Sequence, residues 1–239
     1  MKKLIPILLI FCCDEIDEDL LTQTQEILTQ AQEILEAEIN GLFCGVFLCD
    51  AQNQFTQLAD STNSTFYQAT NDVQLQENIL KIIEHNISDS IDFVFLIDKT
   101  GSMGDDISSV REGMSQIISL LAEYVDVRLG LVFYGDKNVD GDSWFQLYDL
   151  TTNYNYISEL INSVEVSGGG DLPESVYDSI VKSIDEISWT SSIARILIVI
   201  GDAPSLEGSE SDNTFSDVVN KAINDSVFVN IYPILLSPF

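Results

Sequence analysis

Oxygen-bearing side chains follow three apolar or glycine-rich segments of the sequence, and together they could hold a hard metal ion. Asp98, Thr100 and Ser102 alternate along one loop, so that a carboxylate and two hydroxyls can point to one side. Asp171 follows a glycine triplet, and Asp202 follows a very apolar run. Oxygen ligands suit Mg²⁺, Mn²⁺ or Ca²⁺ and disfavour zinc or copper. Three carboxylates buried together also favour a bound cation, because their mutual repulsion is otherwise costly.

The segments around these residues predict strands and helices in alternation. The apolar runs at 91–97 and 194–200 are typical of central parallel strands that are covered on both faces. Further strands are predicted at 127–134, 144–150 and 227–235, and helices at about 105–124, 154–164, 172–187 and 212–224. This order predicts an α/β fold with a doubly wound, open and mostly parallel sheet flanked by helices. Such sheets bind ligands beyond the carboxyl ends of their strands, so the candidate residues should meet there.

The charge balance excludes some classes of function. The 239 residues contain 10 lysines and arginines against 39 aspartates and glutamates, a formal net charge of −29. Such a chain lacks the basic face that nucleic acids require, so no nucleic-acid partner is expected. One histidine, His85, and four cysteines leave little material for a zinc site or a histidine-based catalytic triad.

The first 40 residues predict an export signal followed by a helix. Lys2 and Lys3 precede a short apolar run at 4–11, and Cys12-Cys13 with the acidic residues after them resemble a bacterial lipoprotein signal. Residues 1–13 are therefore predicted to be a signal peptide or lipoprotein signal, with Cys13 as the candidate lipid anchor. A cleaved signal without lipid and a buried apolar N-terminus in a cytosolic protein are the alternatives. Paired apolar residues every seven positions predict an acidic heptad helix over 14–40. The expected location is secreted or cell-surface, with an outer-membrane lipoprotein as one form.

Residues 41–90 are predicted to be a linker or small accessory segment. The apolar patch at 42–49 favours a strand or hairpin, followed by a polar loop to about residue 72. Cys44 and Cys49 could form a disulfide in an oxidising compartment, and two buried free thiols are the alternative. Apolar residues at helical spacing predict a helix over 73–87, ahead of the main domain at 91–239.

The three oxygen-bearing loops resemble the metal-ion-dependent adhesion site of a von Willebrand factor type A domain, also called an integrin I-like domain. The family's first loop reads Asp-x-Ser-x-Ser, and the segment from Asp98 to Met103 is similar to the Asp-x-Thr-Gly-Ser-Met of a hemicentin-like and bacterial branch. Asp171 falls on the second-loop ligand, usually a threonine, and Asp202 matches the third-loop aspartate. The resemblance covers about residues 91–239. It implies that Mg²⁺, Ca²⁺ or Mn²⁺ is held by Asp98, Thr100, Ser102, Asp171 and Asp202.

The resemblance implies a divalent-cation-dependent protein-binding or adhesion module rather than an enzyme. Its metal would accept an acidic side chain of a protein ligand. Asp171 in place of threonine adds negative charge, which would weaken this mode of capture. The family's C-terminal helix has no expected counterpart after the strand at 227–235, so the affinity switching of integrin-type domains is not carried over.

Two other functions stay open at this point. One is a metal-dependent phosphohydrolase of a doubly wound α/β fold, although Thr100 stands where the haloacid dehalogenase-type phosphatases have a second aspartate. The other is a structural module of the same family whose metal site is filled but engages nothing. Fold alone does not decide between them.

A second candidate cation motif lies at 136–142. Its Asp-x-Asn-x-Asp-Gly opening fits a calcium loop, but Leu147 occupies the twelfth position, where a glutamate is expected. Asp, Asn and Gly are also typical of turns, so a turn between two strands is the alternative.

Overall fold

The computed structural model describes residues 48–86, 90–104, 106–121, 127–170, 172–190, 193–223 and 228–236. The predicted signal at 1–13 with Cys13, the predicted heptad helix at 14–40 and the candidate ligand Asp171 lie outside these residues. Within the described ranges, no helix combines the length and the apolar character that a membrane span requires.

The described residues form one sheet with helices on both faces. Its strands are β1 (Tyr67–Ala69), β2 (Ile91–Asp98), β3 (Val127–Tyr134), β4 (Phe145–Thr151), β5 (Ala194–Gly201) and β6 (Asn230–Leu236). The helices are α1 (48–61), α2 (Asp72–Asn86), α3 (Ile107–Leu121), α4 (Tyr154–Ser163), α5 (Val176–Glu186) and α6 (Phe215–Ala222). Short 3₁₀ turns lie at Gly101–Gly104, Gly141–Ser143 and Gly208–Glu210.

The sheet has the strand order β1-β6-β5-β2-β3-β4. All neighbouring strands pair in parallel except β3 and β4, which are antiparallel. The central strand β2 is buried along its whole length, as its continuous apolar sequence predicts for a strand covered on both faces. The predicted α/β fold, with an open and mostly parallel sheet flanked by helices, is therefore confirmed.

Side chains of β2 alternate between two apolar cores. Phe93, Phe95 and Ile97 pack in one core with α2, α3 and α4. Val94 and Leu96 pack in the other core with residues of α1, α5 and α6. Each core buries one face of the sheet, so the strand ends at the carboxyl edge are held in fixed positions relative to one another.

The prediction of a strand or hairpin followed by a polar loop is wrong for residues 48–61, which form α1. Ala51, Phe55 and Leu58 recur at helical spacing and are buried in the core. β1 pairs with β6, so the described residues 48–86 belong to the sheet domain and are not a linker. The helix predicted at 73–87 is present as α2. Cys49 is a free and exposed thiol, which agrees with neither a disulfide nor a buried cysteine.

Candidate metal centre

Asp98 ends β2 at the carboxyl edge of the sheet, and its side chain is fully buried. Its Oδ1 accepts hydrogen bonds from the backbone N–H of Thr100 at 2.8 Å and from the Thr100 hydroxyl at 2.7 Å. Its Oδ2 is buried and has no hydrogen-bond partner. Burial, together with the neighbouring carboxylate of Asp202, raises the pKa of Asp98 to about 7. The ionised form therefore lacks a compensating positive charge.

A chain of close contacts between oxygen atoms links Asp98 to the third loop. The hydroxyls of Thr100 and Ser102 lie 3.1 Å apart, and the Ser102 hydroxyl donates to Asp202 Oδ1 at 3.1 Å. Burial also raises the pKa of Asp202. Four of the five candidate residues are thus brought together at the carboxyl edge. Metal binding by these four residues remains a prediction. The role of Asp171 as a ligand also remains a prediction, because Asp171 lies outside the described residues.

The pairing of β2 with β5 sets the distance between the two carboxylates. Ile97 pairs with Ile200, so Asp98 lies beside Gly201, and Asp202 is the next residue along the chain. A Cβ atom at position 201 would lie 2.5 Å from the Tyr134 hydroxyl and 3.4 Å from Asp98 Oδ2. Glycine at position 201 therefore leaves room for the tyrosine and the aspartate to approach the strand end.

The Tyr134 hydroxyl is a second buried oxygen without a hydrogen bond of normal geometry, but it lies close enough to Asp98 to help lower the pKa of that carboxyl. Burial raises the pKa of Tyr134 well above its ordinary value, and the carboxylates of Asp98, Asp202 and Glu174 raise it further. The phenol therefore stays neutral and adds no negative charge to the site.

Three consecutive glycines run beside the first loop. Gly168, Gly169 and Gly170 all have positive φ angles, of 85°, 80° and 73°. The carbonyl of Gly168 accepts a hydrogen bond from the backbone N–H of Gly101 at 3.2 Å. A Cβ atom on Gly168 would overlap the carboxylate of Asp140, and one on Gly169 would lie 2.7 Å from Glu174 Oε1. Glycine is required here both by the backbone conformation and by this close approach.

Glu174 is a residue of the site to which the sequence analysis gave no role. Only 1% of it is exposed, and its Oε2 has no hydrogen-bond partner. Burial raises its pKa to about 9, helped by the carboxylates of Asp98, Asp136, Asp140 and Asp202. Glu174 is therefore a neutral acid near pH 7. Its position after the glycine segment in Asp-Leu-Pro-Glu was a signal that could have singled it out.

The backbone of Glu174 joins the second loop to the third. Its N–H donates to the carbonyl of Pro204 at 2.9 Å, and its carbonyl accepts from Leu206 at 2.7 Å. On the other side of the third loop, Gln54 of α1 accepts a hydrogen bond from the backbone N–H of Ser205 at 2.7 Å. The loop that carries Asp202 is therefore held from two sides.

A cavity of about 290 Å³ opens beside Ser102. Its walls are mainly glycine backbone, and the buried Glu174 also lines it. The lining residues are Gly101, Ser102, Gly168, Gly169, Gly170, Leu172 and Glu174. A ligand group that approached the Ser102 hydroxyl would thus have space on this side of the site.

Residues 136–142 form a turn, which was the alternative to a calcium loop that the sequence left open. Asp136 Oδ1 accepts from the backbone N–H of Asn138 at 2.7 Å. Asp140 accepts from the backbone N–H of Asp136 at 3.0 Å and of Gly169 at 3.2 Å. These carboxylates bond to backbone donors, as is common in turns, and Asp140 also fixes the glycine segment.

The donor set at Asp98 fits a hard divalent cation. It consists of carboxylate and hydroxyl oxygens, and it includes the unpartnered buried Oδ2 of Asp98. In the part of the chain that the structure describes, which omits Asp171, no cluster of three or more His, Cys, Asp or Glu side chains has the spacing to hold a metal. A cation at this edge would therefore depend on the hydroxyls of Thr100 and Ser102 as well as on the carboxylates.

Comparison with known families matches residues 92–231 of the chain to the von Willebrand factor A domain. Alpha-protein kinase vwkA of Dictyostelium discoideum is 28% identical over 122 residues, which cover 49% of this chain and 19% of that protein. A putative ariadne-like RING finger protein of Acanthamoeba polyphaga mimivirus is 27% identical over 146 residues, 58% of this chain and 14% of that protein. The chain thus spans less than a fifth of either curated relative.

Two solved structures are similar in part. The conserved hypothetical protein BatB from Bacteroides thetaiotaomicron shares 15% identity and a TM-score of 0.43, over 59% of this chain and 65% of that one. The pilus adhesin SpaC from Lactobacillus rhamnosus GG shares 19% identity and a TM-score of 0.39, over 46% of this chain and 14% of that one. With TM-scores below 0.5, these two likenesses add nothing to the family match.

Proposed function

We propose that this chain, which belongs to the von Willebrand factor A domain family, binds a divalent cation and uses it to bind a protein partner. The cation is Mg²⁺ in this proposal, with Ca²⁺ or Mn²⁺ as the alternatives. The observation that carries the proposal is the buried, unpartnered Oδ2 of Asp98 beside a second carboxylate. The proposed ligands are Asp98, Thr100, Ser102, Asp171 and Asp202.

The residues of the site have separate tasks in this proposal. Asp98 orients Thr100 by accepting both its backbone and its hydroxyl hydrogen bonds. Ser102 joins the first loop to Asp202. A bound cation would supply positive charge at the carboxyl edge and an open position for an oxygen atom of an acidic side chain. In the absence of a cation, burial and the neighbouring carboxylates keep the pKa of Glu174 raised, so that it is neutral near pH 7.

A binding role is favoured over phosphohydrolase activity by the burial of Asp98. A nucleophilic aspartate must be approached by the substrate's phosphorus atom, whereas Asp98 is fully buried and one of its oxygens already accepts two hydrogen bonds. A Mg²⁺-dependent phosphatase activity that is lost in the Asp98→Asn variant would contradict this choice.

The proposal places the protein outside the cytosol, at the cell surface or secreted. It relies on Lys2-Lys3, the apolar run at 4–11 and the candidate lipid anchor Cys13. Protein isolated from its native host is expected to begin at or near Cys13 when its intact mass is measured. A mass that retains Met1 and carries no lipid would contradict export by this signal.

Partner binding is expected to require the cation site and not the predicted helix at 14–40. Surface proteins captured on the immobilised chain should be released by a chelator and should not be captured by the Asp202→Asn variant. The matched control is Asp60→Asn, which removes the same charge from an exposed position on α1. Circular dichroism confirms that each variant is folded.

A chain that lacks residues 14–40 provides the opposing comparison. It should still capture the partner, because the carboxyl edge of the sheet is unchanged. Capture that resists the chelator and is lost only in this shortened chain would show that the N-terminal segment is the contact.

A further inference from the structure

The Lys99 side chain is largely buried, but its ammonium group reaches the surface. Only 5% of the residue is exposed, and it lines a cavity of about 280 Å³ between the ends of β3 and β4 and the helix α4. Among the described residues, the ammonium group has no hydrogen-bond or ion-pair partner, whereas Lys137, Lys182 and Lys221 all form ion pairs. An ammonium group that lies at a partly enclosed cavity and has no ion-pair partner favours a ligand that supplies a negative charge.

Other polar side chains line the same cavity. The side chains of Gln146, Tyr148 and Ser167 can donate hydrogen bonds, and none of them has a hydrogen-bond partner within the described ranges. Phe133 and Leu160 add apolar surface. A cavity with one cation, several neutral donors and an apolar side fits an anion attached to a short apolar chain.

The anion best suited to this cavity is a carboxylate. The single ammonium balances one negative charge, and Glu165, which also lines the cavity, opposes a second one. The volume corresponds to roughly nine water molecules at about 30 Å³ each, which holds a small acid or one acidic side chain.

We propose that the Lys99 cavity, defined by Lys99, Phe133, Gln146, Tyr148, Leu160 and Ser167, binds a carboxylate group. The carboxylate belongs either to a free small acid or to an aspartate or glutamate side chain of a protein. Although Lys99 is the residue between Asp98 and Thr100, its cavity is a different one from the cavity beside Ser102.

The first test is an acetate titration followed by NMR of the full chain in EDTA, with sodium chloride at equal ionic strength as the reference. The amide signals of residues around the cavity should shift with a Kd on the order of millimolar, as a ligand of four heavy atoms allows. Lys99→Met should weaken binding about tenfold or more, because a charge-assisted hydrogen bond is lost. Lys81→Met, on the exposed face of α2, is the matched control and should bind as the wild type does.

Removal of divalent cations with EDTA tests whether acetate binds independently of the cation site. Acetate binding should persist in EDTA and in the Asp98→Asn variant, in which the proposed metal site is disabled. No acetate-specific shift around the cavity, or equal shifts in the wild type and Lys99→Met, would overturn the proposal and leave the cation site unaffected.

The thermal stability of Lys99→Met distinguishes a binding lysine from a structural one. Without acetate, the variant should unfold no more than about 2 °C below the wild type, because the ammonium group has no partner in the fold to lose. A fall of more than about 2 °C would show that the ammonium group supports the fold, and it would overturn the proposal.

Two capped tripeptides distinguish the sources of the carboxylate. Acetyl-Gly-Glu-Gly-amide and acetyl-Gly-Gln-Gly-amide have the same shape but differ in charge. Binding of the glutamate peptide alone supports an acidic protein side chain as the ligand, and binding of acetate without either peptide supports a free small acid. Equal binding of both peptides would overturn a carboxylate site.

Discussion

Saturating Mg²⁺ is expected to raise the free energy of unfolding of the wild-type chain by about 2.7 kcal/mol when the free ion is at a hundred times its Kd. Asp98→Asn should lose this gain, because the substitution removes the negative charge of the buried carboxylate and replaces one of its oxygens by an amide. Denaturant unfolding followed by circular dichroism, with Mg²⁺ and with EDTA, measures both values. Asp60→Asn should keep the full gain.

The pH dependence of the unfolding free energy in EDTA provides a further test of the role of Asp98. Its pKa in the folded chain, about 7, lies above the ordinary value of an aspartate. The folded state without a cation is therefore favoured by protonation at low pH, and this contribution is lost as the pH rises through about 7. At pH 8 in EDTA, Asp98→Asn should be at least as stable as the wild type. An unfolding free energy of the wild type that does not respond to divalent ions would refute the cation site.

Gly168→Ala is expected to destabilise the chain by about 2–4 kcal/mol and to remove the response to Mg²⁺. The added Cβ atom would overlap the Asp140 carboxylate, and the φ angle of 85° is strained for alanine. Moving Asp140 would also break its hydrogen bonds to the backbone of Asp136 and Gly169. Denaturant unfolding with and without Mg²⁺ measures both effects.

Gly104→Ala is the matched control for this substitution. Gly104 lies at the end of the 3₁₀ turn that carries Ser102, and a Cβ atom there would meet nothing within 4 Å. Its effect on the unfolding free energy should stay within about 0.5 kcal/mol. Equal destabilisation by the two alanines would show that the approach of Asp140 to the glycine segment does not matter.

The sequence predicted the bounds of a secondary-structure element well where the element is buried along nearly its whole length. The continuous apolar run of β2 and the bounds of β3 were predicted within one residue, because both strands are buried along nearly their full length. α1 was missed since small alanines form much of its buried face, and they give a weak apolar signal. β1 has only three residues, too few for a pattern, and its pairing with β6 depends on residues far along the chain.

The candidate site also has features that the sequence predicts and features that it does not. Asp98, Thr100, Ser102 and Asp202 meet because the carboxyl ends of parallel strands lie at one edge, which strand order alone predicts. The burial of Glu174 is a tertiary property that its residue type does not predict, because glutamate is usually exposed, and only its place after the glycine segment pointed to it. The bond between Asp140 and Gly169 likewise joins positions 29 residues apart.

The contact between the first and last strands has a consequence for how the domain folds. β1 pairs with β6, and the Thr62 hydroxyl donates to the Ile231 carbonyl 169 residues later. Such non-local contacts slow folding, because a long loop must close before they form. During synthesis, the apolar edge of β5 stays open until residues 230–236 have left the ribosome. The nascent domain is thus exposed to aggregation through this edge until β6 has been made.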